Sequence, residues 1–212
     1  MLPPAPQVFL LSPAYCGGRR AGVLLGPNSE LPIAHRLRSG TLTLGEAFTF
    51  LSGLYFRGKL TYATAFGRSA DVSDAGTFVI TPTRGLQPPE TGVTVDLLRE
   101  FASVDVSADD PRYRTPLERD VAALARRLPA GARVILLGSI ATGKYADVLV
   151  TLLGPKLHYP SSFIGRGDMS RGGLLLRSAS SAIELEYAVL EPGVRRRGHR
   201  PPKLQPLVAA RS

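Results

Sequence analysis

RVILLGSIATGKYADVLVTLLGPKLHYPSSFIGRGDMSRGGLLLR, residues 133–177, is the stretch whose reading decides the fold. Val134-Ile135-Leu136-Leu137 is a continuous apolar run of strand formers ended by Gly138, which predicts a strand buried on both faces. Tyr145 to Leu153 then places Val148, Leu149, Leu152 and Leu153 at helical spacing, and Gly154-Pro155 stops it. A buried strand that enters a helix through a glycine turn is the unit of α/β sheets. Such sheets bind ligands beyond the carboxyl ends of their strands.

Working outward, Gln7 to Ser12, Gly76 to Thr81 and Lys156 to Tyr159 read as further short strands. Leu31 to Gly40 is short and basic. Leu44 to Phe66 has Phe48, Leu51, Leu54 and Tyr55 at helical spacing, but Gly53 and Gly58 predict a helix, a break and a second helix. Thr94 to Phe101 reads as a short helix and Ser107 to Thr115 as a polar loop. Pro116 to Leu128 reads as an amphipathic helix with Pro116 in its first turn. Ser161 to Gly173 is too rich in glycine, serine and arginine for a core element and reads as a loop. Leu174 to Arg177 and Ala182 to Leu190 are expected to form a hairpin with one wet face. No internal repeat is visible. The expected fold is α/β: a single three-layer domain over 1–194 with a mostly parallel central sheet, a C-terminal antiparallel hairpin and a disordered basic tail over 195–212.

Composition narrows the function classes. The chain is 44% hydrophobic and 20% charged, with no apolar run of about 18 residues that could span a membrane. Its first residues lack the basic region and long apolar core of a signal peptide. A single cysteine, Cys16, allows no internal disulfide and fits a cytoplasmic setting. His35, His158 and His199 lack metal-ligand spacing, so neither a metal nor a cofactor is expected. The net charge is +9, but 195–212 hold six basic residues and no acidic one, which leaves the body 20 basic against 17 acidic residues, about +3. The tail alone is a polyanion-attracting segment.

Three strand ends carry loops with glycine and basic or hydroxyl groups: Gly17-Gly18-Arg19, Thr83-Arg84-Gly85 and Gly138-Ser139. The loop Gly165 to Gly173, with Arg166, Asp168, Ser170 and Arg171, is expected to close over them. Glycine lets backbone approach an anion and arginine grips it, so the crevice is suited to a phosphorylated, base-containing ligand. Asp168, the one carboxylate of the Gly/Arg loop, is the candidate general acid/base or water-orienting group. The basic and aromatic run YFRGKLTYATAFGR could contact phosphate and stack on a base; the simpler reading puts its aromatics in the core and its basic groups in water. GSIATGKY has P-loop spacing through Gly138, Gly143 and Lys144, but Tyr145 stands where such loops place Ser or Thr for Mg²⁺.

The order FLLSPAYCGG, LYFRGKLTYA, VITPTRGL, VILLGSIATGKY and YPSSFIGRGD, over residues 7–177, resembles the uracil-DNA-glycosylase-like α/β superfamily. That resemblance implies hydrolysis of the bond between a base and its sugar, with nucleic acid or nucleotide as the partner. Classical members place a catalytic aspartate in an early Gly-x-Asp-Pro-Tyr type loop and a histidine in a late His-Pro-Ser type loop. This chain has neither, Pro160-Ser161-Ser162 being a distant echo of the second. Two other readings stay open: a non-catalytic nucleic-acid-binding or interaction protein, and a P-loop-like nucleotide-binding protein. Oligomeric state is open as well.

Overall fold

The structure, a computed structural model, describes residues 6–68, 76–140, 143–192 and 201–202. Six strands, β1 (Gln7–Leu11), β2 (Thr77–Ile80), β3 (Leu86–Gln87), β4 (Arg133–Leu137), β5 (Leu157–Pro160) and β6 (Tyr187–Val189), form one sheet in the order β3-β2-β1-β4-β5-β6. The inner strands β1, β2, β4 and β5 run parallel, while β3 and β6 pair antiparallel at the two edges. Eight helices accompany the described strands: α1 (Arg19–Leu25), α2 (Pro32–Arg38), α3 (Leu44–Ser52), α4 (Leu54–Phe66), α5 (Val95–Ala102), α6 (Pro111–Arg127), α7 (Gly143–Leu153) and α8 (Asp168–Ser181).

The unbroken apolar runs of β1 and β4 are explained by cover on both faces. Val8, Leu10, Val134 and Leu136 pack with Leu117 and Val121 of α6 and Leu149 of α7. Phe9, Leu11, Ile135 and Leu137 face the other way, onto Phe48 of α3, Phe56 and Tyr62 of α4, Phe101 of α5 and Leu175 of α8. Three layers result, as the sequence predicts for a parallel sheet.

From β1 the chain crosses to β2 on one side; after α6 it returns to β4 on the other. The strand order therefore reverses between β1 and β4, and the loops leaving their carboxyl ends diverge. A topological switch point of this kind opens a crevice where α/β proteins bind ligands. The register is in step, Leu11 against Leu137, so Ser12 and Gly138 emerge side by side and the Ser12 N–H donates to Leu137 O at 3.1 Å.

The expected break between two helices is real. Thr43 and Glu46 form a reciprocal capping box at the start of α3, and Gly53, at φ +66°, turns the chain into α4. Four expectations fail. Arg19, expected in the loop after β1, opens α1 together with Arg20. The segment expected as a polar loop begins α6, because Asp110 accepts from the Arg112 N–H at 2.9 Å and Pro111 takes the first position, which leaves Pro116 inside the helix. The Gly/Arg stretch is a loop only to Gly167, and α8 starts at Asp168. Leu174 to Arg177 belongs to α8, so the antiparallel pair at the C-terminal edge is β6 with β5, Pro160 opposite Tyr187.

The expected basic tail, apart from 201–202, lies outside the described residues. Among the described residues no helix is long and apolar enough to cross a membrane.

Candidate functional site

Two helices are pressed together above the switch point. A Cβ on Gly58 of α4 would lie 2.6 Å from the Gly172 carbonyl oxygen, and one on Gly172 of α8 would lie 2.7 Å from the Leu54 carbonyl oxygen. The paired glycines thus allow backbone-to-backbone approach, which offsets their poor helix propensity. Around these glycines α4 presents Lys59 next to Gly58 and Tyr55 a turn before it, and α8 presents Arg171 next to Gly172 and Asp168 a turn before it.

Lys59 is the centre of this cluster. It is 1% exposed, and its Nζ donates to the Ser12 carbonyl oxygen at 2.6 Å and to Ser12 Oγ at 2.9 Å. The Tyr55 and Phe56 rings flank the amine, each with its centroid at 4.7 Å. Every contact is to a neutral group. Burial without a carboxylate in contact penalises the ammonium form and pulls the Lys59 pKa down to about 7, with the Asp168 carboxylate opposing the shift from further away.

On the far side of Ser12, Gly138 has no room for a side chain: a Cβ there would meet Ser12 Cβ and Tyr145 Oη, each at 2.9 Å. The Tyr145 hydroxyl accepts from the Ser139 N–H at 2.7 Å and interacts with the Ser12 side chain. Burial pushes the Tyr145 phenol up. In a P-loop the backbone N–H groups point at phosphate. Here the N–H of Ser139 points at a buried tyrosine, which argues against that mode of binding.

Arg171 is 9% exposed. Its Nε and Nη2 both donate to the Phe163 carbonyl oxygen at 3.3 Å, the guanidinium lies 5.5 Å from the Phe163 ring centroid, and Nη1 stands 3.5 Å from the Asp168 carboxylate. The Asp168 side chain is 69% exposed, in the first turn of α8. Tyr55 Oη is buried beside the Arg171 guanidinium, whose charge and hydrogen bonding favour the ionised form, yet burial dominates and raises its pKa. The cluster contains two basic side chains against one carboxylate.

Beside it lies a crevice of about 510 Å³ lined by Pro13, Ala14, Tyr15, Val104, Asp105, Val106, Ser107 and Lys144. Pro13 follows Ser12 and Lys144 precedes Tyr145, so this crevice adjoins the cluster at the switch point.

Of the residues singled out in the sequence, Gly138, Ser139, Asp168 and Arg171 converge here, and Lys144 lines the crevice. Gly17, Gly18 and Arg19 are at the start of α1, with the exposed Tyr15 ring folded over both glycines, 2.7 Å from the position of a Cβ on Gly17. Arg166 braces the turn before α8, bonding Ser162 O at 3.0 Å and Ser170 Oγ at 3.1 Å. Arg84 is elsewhere. It pairs with Glu100 at 2.6 Å in a hollow of about 660 Å³ shared with Thr83, Gln87, Leu97, Pro116 and Arg119.

Ser12, Tyr55, Lys59 and Tyr145 escaped the sequence reading as a set. Lys59 was read as a basic group either contacting phosphate or lying in water, and it is among the most buried of the described residues. The signal was present in the spacing: Tyr55, Phe56, Lys59, Tyr62 and Ala63 form one helical stripe, and all are buried.

Among the described residues no group of His, Cys, Asp and Glu could hold a metal ion. No family model, curated protein or solved structure matches the chain. Fold and site together define a doubly wound α/β protein with a basic polar centre at its switch point.

Proposed function

We propose that the chain is a nucleic-acid- or nucleotide-processing protein of the cytosol that hydrolyses the N-glycosidic bond of a base. The observation that carries this reading is the convergence of Asp168, Arg171, Lys59 and the Gly138-Ser139 turn at the switch point of a parallel sheet. A solvent-open carboxylate beside that centre can orient water toward the sugar carbon. Arg171 and Lys59 supply positive charge for the electrons that leave with the base, or for the phosphate of the substrate. Tyr15, 74% exposed at the crevice, offers a ring on which a base can stack.

A non-catalytic binder is the second reading. It is favoured by the engagement of Lys59 with Ser12 and of Tyr145 with Ser139, which gives both groups structural work.

The experiment is chromatographic detection of free bases after incubation with single-stranded DNA, double-stranded DNA and ribonucleotides. The expected result is release by the wild-type chain and none by Asp168→Asn, with binding retained. Tight binding without release from any substrate establishes the second reading, and full activity of Asp168→Asn removes Asp168 from the mechanism.

A further inference from the structure

The crevice of about 510 Å³ is walled by the end of β1, the α5–α6 connection and the start of α7, and has the size of a small-ligand pocket. Its two charged side chains are unengaged. Among the described residues neither Asp105 nor Lys144 has a hydrogen-bond or salt-bridge partner, and although they line one crevice they are not paired with each other. Arg112, the cation that feels the charge of Asp105, is committed to Asp110 at 2.6 Å.

Asp105 is nonetheless held in place. On one side of it Val104 is buried; on the other Ser107 closes a turn, its carbonyl accepting from the Asp110 N–H at 3.1 Å and its hydroxyl from the Asp109 N–H at 3.3 Å. The carboxylate is thus exposed on a loop pinned at both ends. Tyr15 is placed as firmly: its ring lies over Gly17 and Gly18, where side chains would collide with it, and stays open to solvent. Pro13 and Val106 add apolar wall. A flat ring with polar edges fits such a lining.

The edge that fits is set by the carboxylate, which only accepts hydrogen bonds. Two adjacent N–H donors satisfy both of its oxygens, and among the common bases guanine alone has them on its Watson–Crick edge, N1–H beside the exocyclic N2–H. Adenine and cytosine set one amino donor beside a ring-nitrogen acceptor there, and uracil and thymine set one N–H between two carbonyl oxygens. Each of these turns an acceptor toward the second carboxylate oxygen, an unpaired contact that costs affinity.

On the reading that the switch point handles a base or nucleotide, we infer that this crevice is a guanine site, in which Asp105 accepts from N1–H and N2–H, Tyr15 stacks on the ring and Lys144 pairs with the 5′-phosphate.

The test is titration calorimetry of the full chain with the 5′-monophosphates of guanosine, 2′-deoxyguanosine, inosine, xanthosine, adenosine, cytidine and uridine, with guanosine itself, and with oligothymidine carrying or lacking a single guanine. Guanosine monophosphate should bind about tenfold more tightly than inosine monophosphate, which lacks only the 2-amino group, and its 2′-deoxy form should bind equally well. In Asp105→Asn the amide accepts from N1–H and donates to the C2 carbonyl of xanthine. That variant should lose about tenfold for guanosine monophosphate and gain about tenfold for xanthosine monophosphate, a gain that a misfolded chain cannot produce. Lys144→Gln should weaken the binding of guanosine monophosphate and leave that of guanosine unchanged. Binding of the mononucleotide alone identifies a free nucleotide as the ligand; binding of the guanine-bearing oligonucleotide alone identifies a strand. Equal affinity for all bases, binding of neither format, or a guanine preference that Asp105→Asn leaves in place overturns the inference. So does affinity lost with the 2′-hydroxyl, which would put Asp105 on the sugar. Guanine-selective binding without release of any base leaves the inference standing and removes the hydrolase reading. Release of a base by a chain without guanine preference does the reverse.

Discussion

Gly58 and Gly172 meet backbone to backbone where α4 crosses α8, with a Cβ on Gly58 only 2.6 Å from the Gly172 carbonyl oxygen. Helix propensity alone would make alanine at either position better by about 1 kcal/mol. The obstacle is carbonyl backbone, which cannot rotate aside like a flexible side chain, so the crossing must open. Gly58→Ala and Gly172→Ala should each lower stability by about 1–3 kcal/mol. Gly22 of α1 is the control, since a Cβ there meets nothing within 4 Å. Gly22→Ala should be neutral or stabilising by up to about 1 kcal/mol. Urea midpoints measure all three. Equal effects at the three positions would mean that the α4–α8 contact is looser than the structure has it.

The buried amine of Lys59 gives stability an alkaline signature. Its folded pKa of about 7 lies below the ordinary lysine value of 10.5, so between these values the unfolded chain binds more protons than the folded one. Stability must then rise with pH over this window, and the full penalty of the buried charge is present below pH 7. Cys16, pushed up to about 12 by burial, opposes the rise above its ordinary value of 9.0. Above pH 10 the buried tyrosines, Tyr55 and Tyr145 among them, oppose it further. Urea unfolding in the absence of phosphate and sulfate should show the wild-type chain more stable at pH 9 than at pH 7. Lys59→Met, which keeps the volume and removes the charge, should flatten that difference. A wild-type profile as flat as that of the variant would mean that the amine is solvated.

The legibility of this chain follows from its residues. β1 and β4 were readable because strands buried on both faces are written as unbroken apolar runs, and the helix break at Gly53 because only glycine tolerates that turn. α8 was hidden by Gly172-Gly173, which reads as a breaker unless a second helix needs the space. The early start of α6 was hidden because Asp110 and Pro111 serve equally in a loop and at a helix N-terminus. In the site, residue type masked position. Lys59 and Arg171 sit on buried helical stripes, Tyr55-Phe56-Lys59-Tyr62 and Arg171-Gly172-Leu175-Ser178, but charge assigned both to water or to a loop surface. Asp168, Arg171, Gly138 and Ser139 were singled out as members of glycine-rich loops; Gly138 and Ser139 do follow β4, whereas Asp168 and Arg171 stand on α8. Arg84 was drawn in by the same rule and lies in another hollow, since a strand end says nothing about which neighbour takes the side chain.

At the opposite end of the sheet Glu184 fastens the C-terminal segment. It accepts from Gln7 Nε2 at the start of β1, from Arg68 Nη2 at 3.2 Å and from the Tyr187 hydroxyl at 2.9 Å. The Tyr62 and Tyr187 hydroxyls are 2.6 Å apart, and Tyr62 accepts from the Leu185 N–H at 2.9 Å. Burial alone would raise the Glu184 pKa, but the hydrogen bonds from Gln7, Tyr187 and Arg68 outweigh it and hold the carboxyl below its ordinary 4.5. A carboxylate with a depressed folded pKa contributes stability that is present above the unfolded value and lost as pH falls through the folded one. Glu184→Gln keeps the shape and removes the charge, and should cost about 2 kcal/mol at neutral pH. The cost should shrink below pH 4.5, where the wild-type carboxyl is protonated in the unfolded chain and progressively in the folded one. Hydrogen exchange separates this from a general loss of stability. Amides of β6 and β5 should exchange faster in Glu184→Gln through local opening of the edge, while those of β1 and β4 change only by the global difference. Uniform acceleration across the sheet would mean that Glu184 supports the whole fold and does not latch its edge.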